Sequence, residues 1–471
     1  MSPTPLVLHP DRLLPADPGL RAIARELYES VRDLPIISPH GHVPPVWLAE
    51  DTPFRDPTSM LITPDHYVTR ILHSSGVDLG VLGVGRSELS PEESRAAFRL
   101  FCERWPLYRG TPMKLWFEAQ LVDVFGVDVV PSGETADEVY DTIADWIGRD
   151  SSRPRALMDA FDIAVLATTD DPCDDLAHHR ALAEDPSFRP RVVPTFRPDR
   201  YLEPAAPTWN ADVDRLAEIS GASCDSYGGW VSAMESRREH FKEHGGVSTD
   251  HSHRDLGTEP LEDDEAERLY GRARSGQIGA EEGDRLRRHM VCEMVRMASE
   301  DGLTMTLHPA VHRNHHPATF ERFGADVGAD IPIAVEVTRA LAPALSRYGT
   351  HPRLTLVVFT IDETVFSREL APLAGFYPAL RIGVPWWFID APDAITRFRG
   401  ATTESAGFSR TSGFIDDTRA FLSIPARHDM ARRLDSGFLA RLVAEHRLTE
   451  EEAAETARYL VVTQPTEVFG L

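Results

Sequence analysis

Two histidines one residue apart, His40 and His42, close the apolar run LPIISPHGH (34–42). Side chains two apart on an extended strand leave from the same face. With only Gly41 between them, two neutral imidazoles can reach one divalent ion, and a carboxylate from a distant strand can close the set. The tripeptide alone fits equally well a glycine turn with two hydrogen-bonded histidines. Its place in the chain favours the metal reading. The last such run, TSGFIDDTR (411–419), carries Asp417, and the first and last strands of a closed barrel are neighbours.

More chemistry stands at the ends of the intervening runs. DIAVLATTDD (162–171) ends in Asp170 and Asp171, RVVPTFRPD (191–199) carries Arg197, and GGVSTDHSH (245–253) carries Asp250 and His251. LTMTLHPAVHR (303–313) carries His308 and Arg313, RLTLVVFTIDE (353–363) Asp362, and LRIGVPWWFID (380–390) Trp386 and Trp387. A hydrophilic pocket is the simplest common cause. Arg197 and Arg419 suit a carboxylate, which a guanidinium fork grips through two donors. The commoner fate of an arginine is a neighbouring aspartate, and that reading stays open. Asp170–Asp171 equally suits a helix N-cap. Adjacent tryptophans on a strand point opposite ways, so one at most should face a pocket. His315 and His316, in HRNHHP (312–317), are expected on a solvated loop. Tyr67 carries no signal by itself.

The elements that must position these groups show in the same patterns. Seven of the eight runs read as buried strands; GGVSTDHSH has too little apolar content to read as more than a weak one. Helical patterns lie between them. Ser90, Pro91 and Glu93 form a capping box with a first-turn proline, and Thr449 with Glu452 form another. Leu286, Met290, Met294 and Met297 share one face of a helix expected to stop near Gly302. Eightfold strand–helix alternation predicts an α/β fold, a (β/α)8 barrel, with its chemistry at the C-terminal strand ends. About 120 residues separate the first two strands, far beyond an ordinary connection. Helix signals at 91–105 and 136–148 fall in that gap, after one at 21–32. The division expected is therefore a barrel of residues 1–43 and 156–471 with a helical insertion at 44–155 that contributes to the active site.

Composition narrows the partners. A net charge of −25 on 471 residues argues against nucleic acid, though a few local arginines can still make a pocket anion-binding. No run of about 20 apolar residues exists to span a membrane, and the N-terminus has no secretory pattern. Four scattered cysteines form no C-x-x-C, which suits a reducing cytoplasm better than a disulfide framework.

A set of segments in fixed order carries a family resemblance. They are SPHGHVPP, DHYVTRILHSSGV, TTDDP, VVPTFRPD, TDHSH, LHPAVHRN, RFGAD, WWFID and DDTRAFLSIPARHDMARR, from about residue 35 to 435. The chain resembles the uronate isomerases (glucuronate isomerases), a divergent branch of the amidohydrolase superfamily. The resemblance implies a distorted (β/α)8 TIM barrel of the metal-dependent hydrolase type. It also implies one divalent metal, zinc by expectation, and isomerisation of D-glucuronate to D-fructuronate or D-galacturonate to D-tagaturonate. On this basis His40, His42 and Asp417 are the expected metal set. Asp417, Arg419 and Tyr67 are expected to be catalytic, and Arg197, Asp250, His308, Arg313 and Trp386 to bind substrate. His308 is also a possible further ligand. A small-molecule hexuronate and a homo-oligomer are the partners expected. Departures are Gly41, where the family often has cysteine, Phe196 in place of a usual tryptophan, the FTIDET and GVPWWFID segments, and an unmatched tail, YLVVTQPTEVFGL. The rivals are an amidohydrolase or lactonase on the same barrel, and a non-catalytic sugar-acid binder.

Overall fold

The structure is a computed structural model that describes residues 4–471. Ten strands occur among them: β1 (Ile36–Ser38), β2 (Ile163–Ala167), β3 (Arg191–Val193), β4 (Thr195–Phe196), β5 (Ser248–His251), β6 (Thr304–Leu307), β7 (Val311–His312), β8 (Ile331–Pro332), β9 (Leu356–Val358) and β10 (Leu380–Ile382). Two parallel arcs, β1-β2-β3 and β4-β5-β6-β9-β10, form the wall. A bridge between Asp170 and Phe196 joins the arcs, and one between Ile382 and Thr411 extends the second towards the last segment. The His42 amide donates to the Thr418 carbonyl at 3.0 Å, tying the last segment to the first. The architecture is the α/β, TIM-like one expected, distorted into arcs. β7 and β8 form a separate two-stranded antiparallel sheet.

Two segments differ from expectation. Ser248–His251 is a full strand, buried throughout. It lies between β4 and β6, and neighbours on both sides supply the burial its composition lacks. Thr306 Oγ1 donates to Asp250 at 2.9 Å, while Thr195 and Ser248 pair their hydroxyls at 3.2 Å. Residues 411–419 form no strand beyond the Thr411 bridge. Gly413 (φ 77°) and Asp417 (φ 41°) sit in the left-handed region, which breaks the pleat.

The helices follow their local signals. Pro91–Glu103 starts on the Ser90/Glu93 capping box, and Glu450–Arg458 on Thr449/Glu452. Ala280–Asp301 ends at Gly302 (φ 80°) and buries Leu286, Met290, Met294 and Met297 in the larger core with β6 and β9. Between β1 and β2 the chain is helix and turn, apart from a bridge between Pro5 and Val129. Its Phe98, Phe101, Trp105, Phe117 and Tyr140 pack into a second core with Ile36, Ile163 and Leu166 of β1 and β2. This helical segment is thus seated on the barrel wall. The helix Pro154–Ala160 runs across position 155 to the approach of β2. Among the described residues, no helix is long and apolar enough to cross a membrane. The four cysteines are buried and free.

Candidate active site

One cavity of about 220 Å³ at the C-terminal strand ends is lined by the ten residues expected to hold metal, bind substrate or act in catalysis: His40, His42, Tyr67, Arg197, Asp250, His308, Arg313, Trp386, Asp417 and Arg419. Asp170, Asp171, His251 and Asp362 stand outside it. Asp170 and Asp171 do not cap the next helix either, whose N-cap is Leu176. The Asp171 carboxylate accepts from the Cys173 amide instead. His315 and His316 are exposed on their loop.

Asp417 lies where the first and last segments meet. Its Oδ1 is 3.0 Å from His42 Nε2 and 3.5 Å from His40 Nε2. Its Oδ2 is 3.9 Å from His308 Nε2. His40, His308 and Asp417 offer ligand atoms that all lie within 4.8 Å of one another. His308 stacks on His40, and Phe359 covers its other side, fixing the ring. His308 Nδ1 is 2.7 Å from Asp250 Oδ1, whereas its buried Nε2 has no partner. A carboxylate on one ring nitrogen sets the tautomer that leaves the other with a free lone pair, the support found behind metal-binding histidines. This donor set therefore fits a divalent cation. Gly41 is not required by conformation: a Cβ there would meet nothing closer than 3.5 Å.

The electrostatics follow from burial and partners. Burial opposes charge on Asp417, but His40 and His42 outweigh it and hold its carboxyl well below the usual range. Burial likewise works against Asp250, and His308 and Arg197 overcome it. His42 is lowered by burial, only partly offset by Asp417. His66, beside Tyr67, is lowered to about 3 by burial and then by the nearby Arg419 charge.

Three arginines bring positive charge into the cavity. Arg197 donates through Nε to Asp199 at 2.9 Å, and its Nη1 is 3.3 Å from Asp250. The aspartate-pairing reading therefore holds for Nε, through a hydrogen bond, and for Nη1, through an ion pair. Arg313 donates to Ser252 Oγ (2.8 Å) and Asp330 (3.2 Å). Among the described residues Arg419 has a single loose partner, Asp326, at 3.7 Å. Asp199, His251 and His253 form a second cluster. Asp199 is committed there to Arg197 and to the Ser252 amide, so this cluster braces the arginine.

Trp386 and Trp387 both line the cavity, against the alternation expected. β10 ends at Ile382, and Phe388 sits at φ 68°, so the pair lies on a turning loop. The cavity also contains Asp65, His66, Asp326 and Asp330, which sequence reasoning did not single out. Asp65 caps the helix His66–Ser74 that presents Tyr67. A signal for it was present, since an aspartate before a helical run is an N-cap.

A family model for glucuronate isomerase matches residues 19–464. The uronate isomerase of Cutibacterium acnes is 58% identical over 471 residues, covering 100% of both chains. Among solved structures, the glucuronate isomerase of Caulobacter crescentus superposes with a TM-score of 0.96 at 44% identity, covering 99% of this chain and 98% of that one. The uronate isomerase of Thermotoga maritima superposes at 0.92 with 26% identity, covering 98% and 99%. Similarity of this extent leaves no part of the site outside the comparison, and the chain belongs to the uronate isomerase family.

Proposed function

We propose that this protein interconverts aldohexuronates and ketohexuronates, D-glucuronate with D-fructuronate and D-galacturonate with D-tagaturonate, by moving a proton between C2 and C1. The observation that carries the reading is the convergence of Arg197, Arg313 and Arg419 in one small cavity of a chain whose net charge is −25. Asp65, Asp250, Asp326, Asp330 and Asp417 line the same cavity, so a compact anion is gripped by individual guanidinium donors rather than drawn by a net positive field.

His40, His42 and Asp417 would hold one divalent ion, with His308 as a further donor; bound there, it supplies Lewis acidity to a substrate oxygen. Zinc suits these donors, and four free buried cysteines suit a reducing cytoplasm. Asp417, held ionised, accepts the C2 proton and returns one to C1. A base of low proton affinity has little driving force, so the C2 proton must be made acidic by polarising the C1 carbonyl. Arg419 suits that task, because its one partner among the described residues is loose. Tyr67 relays a proton between the C2 and C1 oxygens. Arg197 takes the C6 carboxylate through the donor its aspartates leave free, and Trp386 lies against the sugar chain.

Proton NMR of each uronate with metal-loaded protein in deuterated water tests the proposal. One ketose acid is expected from at least one uronate, without change of mass in ordinary water. Protein that leaves both untouched but cleaves a lactone or amide would replace the isomerase reading with the hydrolase.

A further inference from the structure

The Tyr67 hydroxyl lies 2.8 Å from both carboxylate oxygens of Asp390, a residue 323 positions further along the chain. A phenol has one proton. Donated to Asp390, it is not available to the cavity, and the Tyr67 oxygen then faces a substrate hydroxyl as an acceptor. Asp390 is itself held. Arg427 Nη1 donates to its Oδ2 at 2.9 Å, while Arg427 Nε donates to Ser423 Oγ at 3.1 Å. The guanidinium lies 3.7 Å from the centre of the Trp116 ring, and that ring also packs edge-on against Tyr67. Asp390 and Arg427 are buried and do not line the cavity. Among the described residues Tyr67 is the lining side chain to which they hydrogen-bond directly, and Arg427 reaches a second, Thr418, through Ser423 Oγ. Burial and then the Asp390 charge hold the Tyr67 phenol well above its ordinary value, so it stays protonated.

We propose that Asp390, braced by Arg427, is a positioning residue for proton relay through Tyr67. A substrate hydroxyl passes its proton to the Tyr67 oxygen as the Tyr67 proton moves to Asp390. The reverse movement delivers a proton to the neighbouring substrate oxygen, and no net proton is gained or lost. The chemistry rests on the isomerase reading above.

The test compares whole, metal-loaded wild type, Tyr67→Phe, Asp390→Asn and the double variant in uronate isomerisation. Each single change is expected to lower kcat about 100-fold, with KM altered less than about threefold. The double variant is expected to fall within about threefold of the singles, because both act through one hydroxyl. Asp390→Asn leaves the Arg427 charge unpaired, so Asp390→Asn/Arg427→Gln is run with and without Tyr67→Phe and should show the same dependence. Loss by an equal factor in both Tyr67 backgrounds, or kcat within about twofold of wild type, would overturn the proposal.

A second readout is independent of turnover. In protein labelled with 13C at tyrosine Cζ, the Tyr67 resonance is the one absent from Tyr67→Phe. It should move upfield in Asp390→Asn as the hydrogen bond to a carboxylate is lost; an unmoved resonance also overturns the proposal. Wild-type protein inert towards both uronates would instead overturn the isomerase reading, with the resonance still reporting on the pairing.

Discussion

Asp170 holds the strand segment that delivers Arg197, and it does so as a neutral acid over an unusual range of pH. Its carbonyl accepts from the Arg197 amide at 3.0 Å, and its amide donates to the Thr195 carbonyl at 2.9 Å. Its Oδ2 accepts from Thr168 Oγ1 at 2.6 Å. Burial pushes the Asp170 carboxyl up to about 7 from 3.8. The folded chain therefore binds this proton more tightly than the unfolded chain. The stability it contributes is complete below the unfolded value and is lost as the pH rises towards 7. Asp170→Asn removes the titration while keeping the shape. Between about pH 5 and pH 7.5 the window spans about two pH units, so the variant should gain about 3 kcal/mol on the wild type. Unfolding entropy for a chain this long is about 1 kcal/mol per kelvin, which converts that gain to about 3 °C. Thermal melts of both proteins across that range measure it. His179, lowered to about 4 by burial, lies 3.8 Å from Asp170 and shares Thr168 Oγ1 with it, so the comparison is repeated in a His179→Gln background. Melting curves that keep a constant separation at all pH values would show that Asp170 ionises as an ordinary aspartate and refute the argument.

Three more outcomes are expected. Elemental analysis of active protein should find about one divalent ion per chain, and a chelator should abolish turnover; active protein without metal would refute this. Arg197→Lys keeps the charge but loses the planar group that Asp199 and Asp250 hold in place to aim its remaining donor, so uronate kcat/KM should fall about 10- to 100-fold, mainly through KM; unchanged kinetics would remove Arg197 from the substrate site. Asp417→Asn should lower turnover at least about 100-fold with the fold intact by circular dichroism, and metal content measured alongside separates loss of the base from loss of the ion.

What was legible in the sequence was whatever has a local cause. Capping boxes at Ser90/Glu93 and Thr449/Glu452 mark helix starts within four residues, and both formed. Apolar runs mark strands buried on both faces. The signal failed where neighbours supply the burial, as at Ser248–His251, and where left-handed residues break a run, as at 411–419. The ten residues that gather in the cavity were found partly because strand ends of a barrel converge, and partly through family resemblance, without which Tyr67 is just a tyrosine. Asp390 and Arg427 lie inside the segments WWFID and DDTRAFLSIPARHDMARR, yet their pairing with each other spans 37 residues and that with Tyr67 spans 323, and neither leaves a periodicity. Asp326 and Asp330 escaped for the same reason: their partners Arg419 and Arg313 come from other loops.

The seam between His42 and Thr418 also sets an order of assembly. His40 and His42 are made before Asp417 and Arg419, which lie about 375 residues further along, and Arg427 follows them. The wall meets itself only when that segment arrives, and Thr411 is then held by Gln464, seven residues from the C-terminus. A chain released early would carry histidines without their carboxylate and Tyr67 without the arginine that braces its partner. The chain must therefore extend past Arg427 before any copy can hold metal and substrate together.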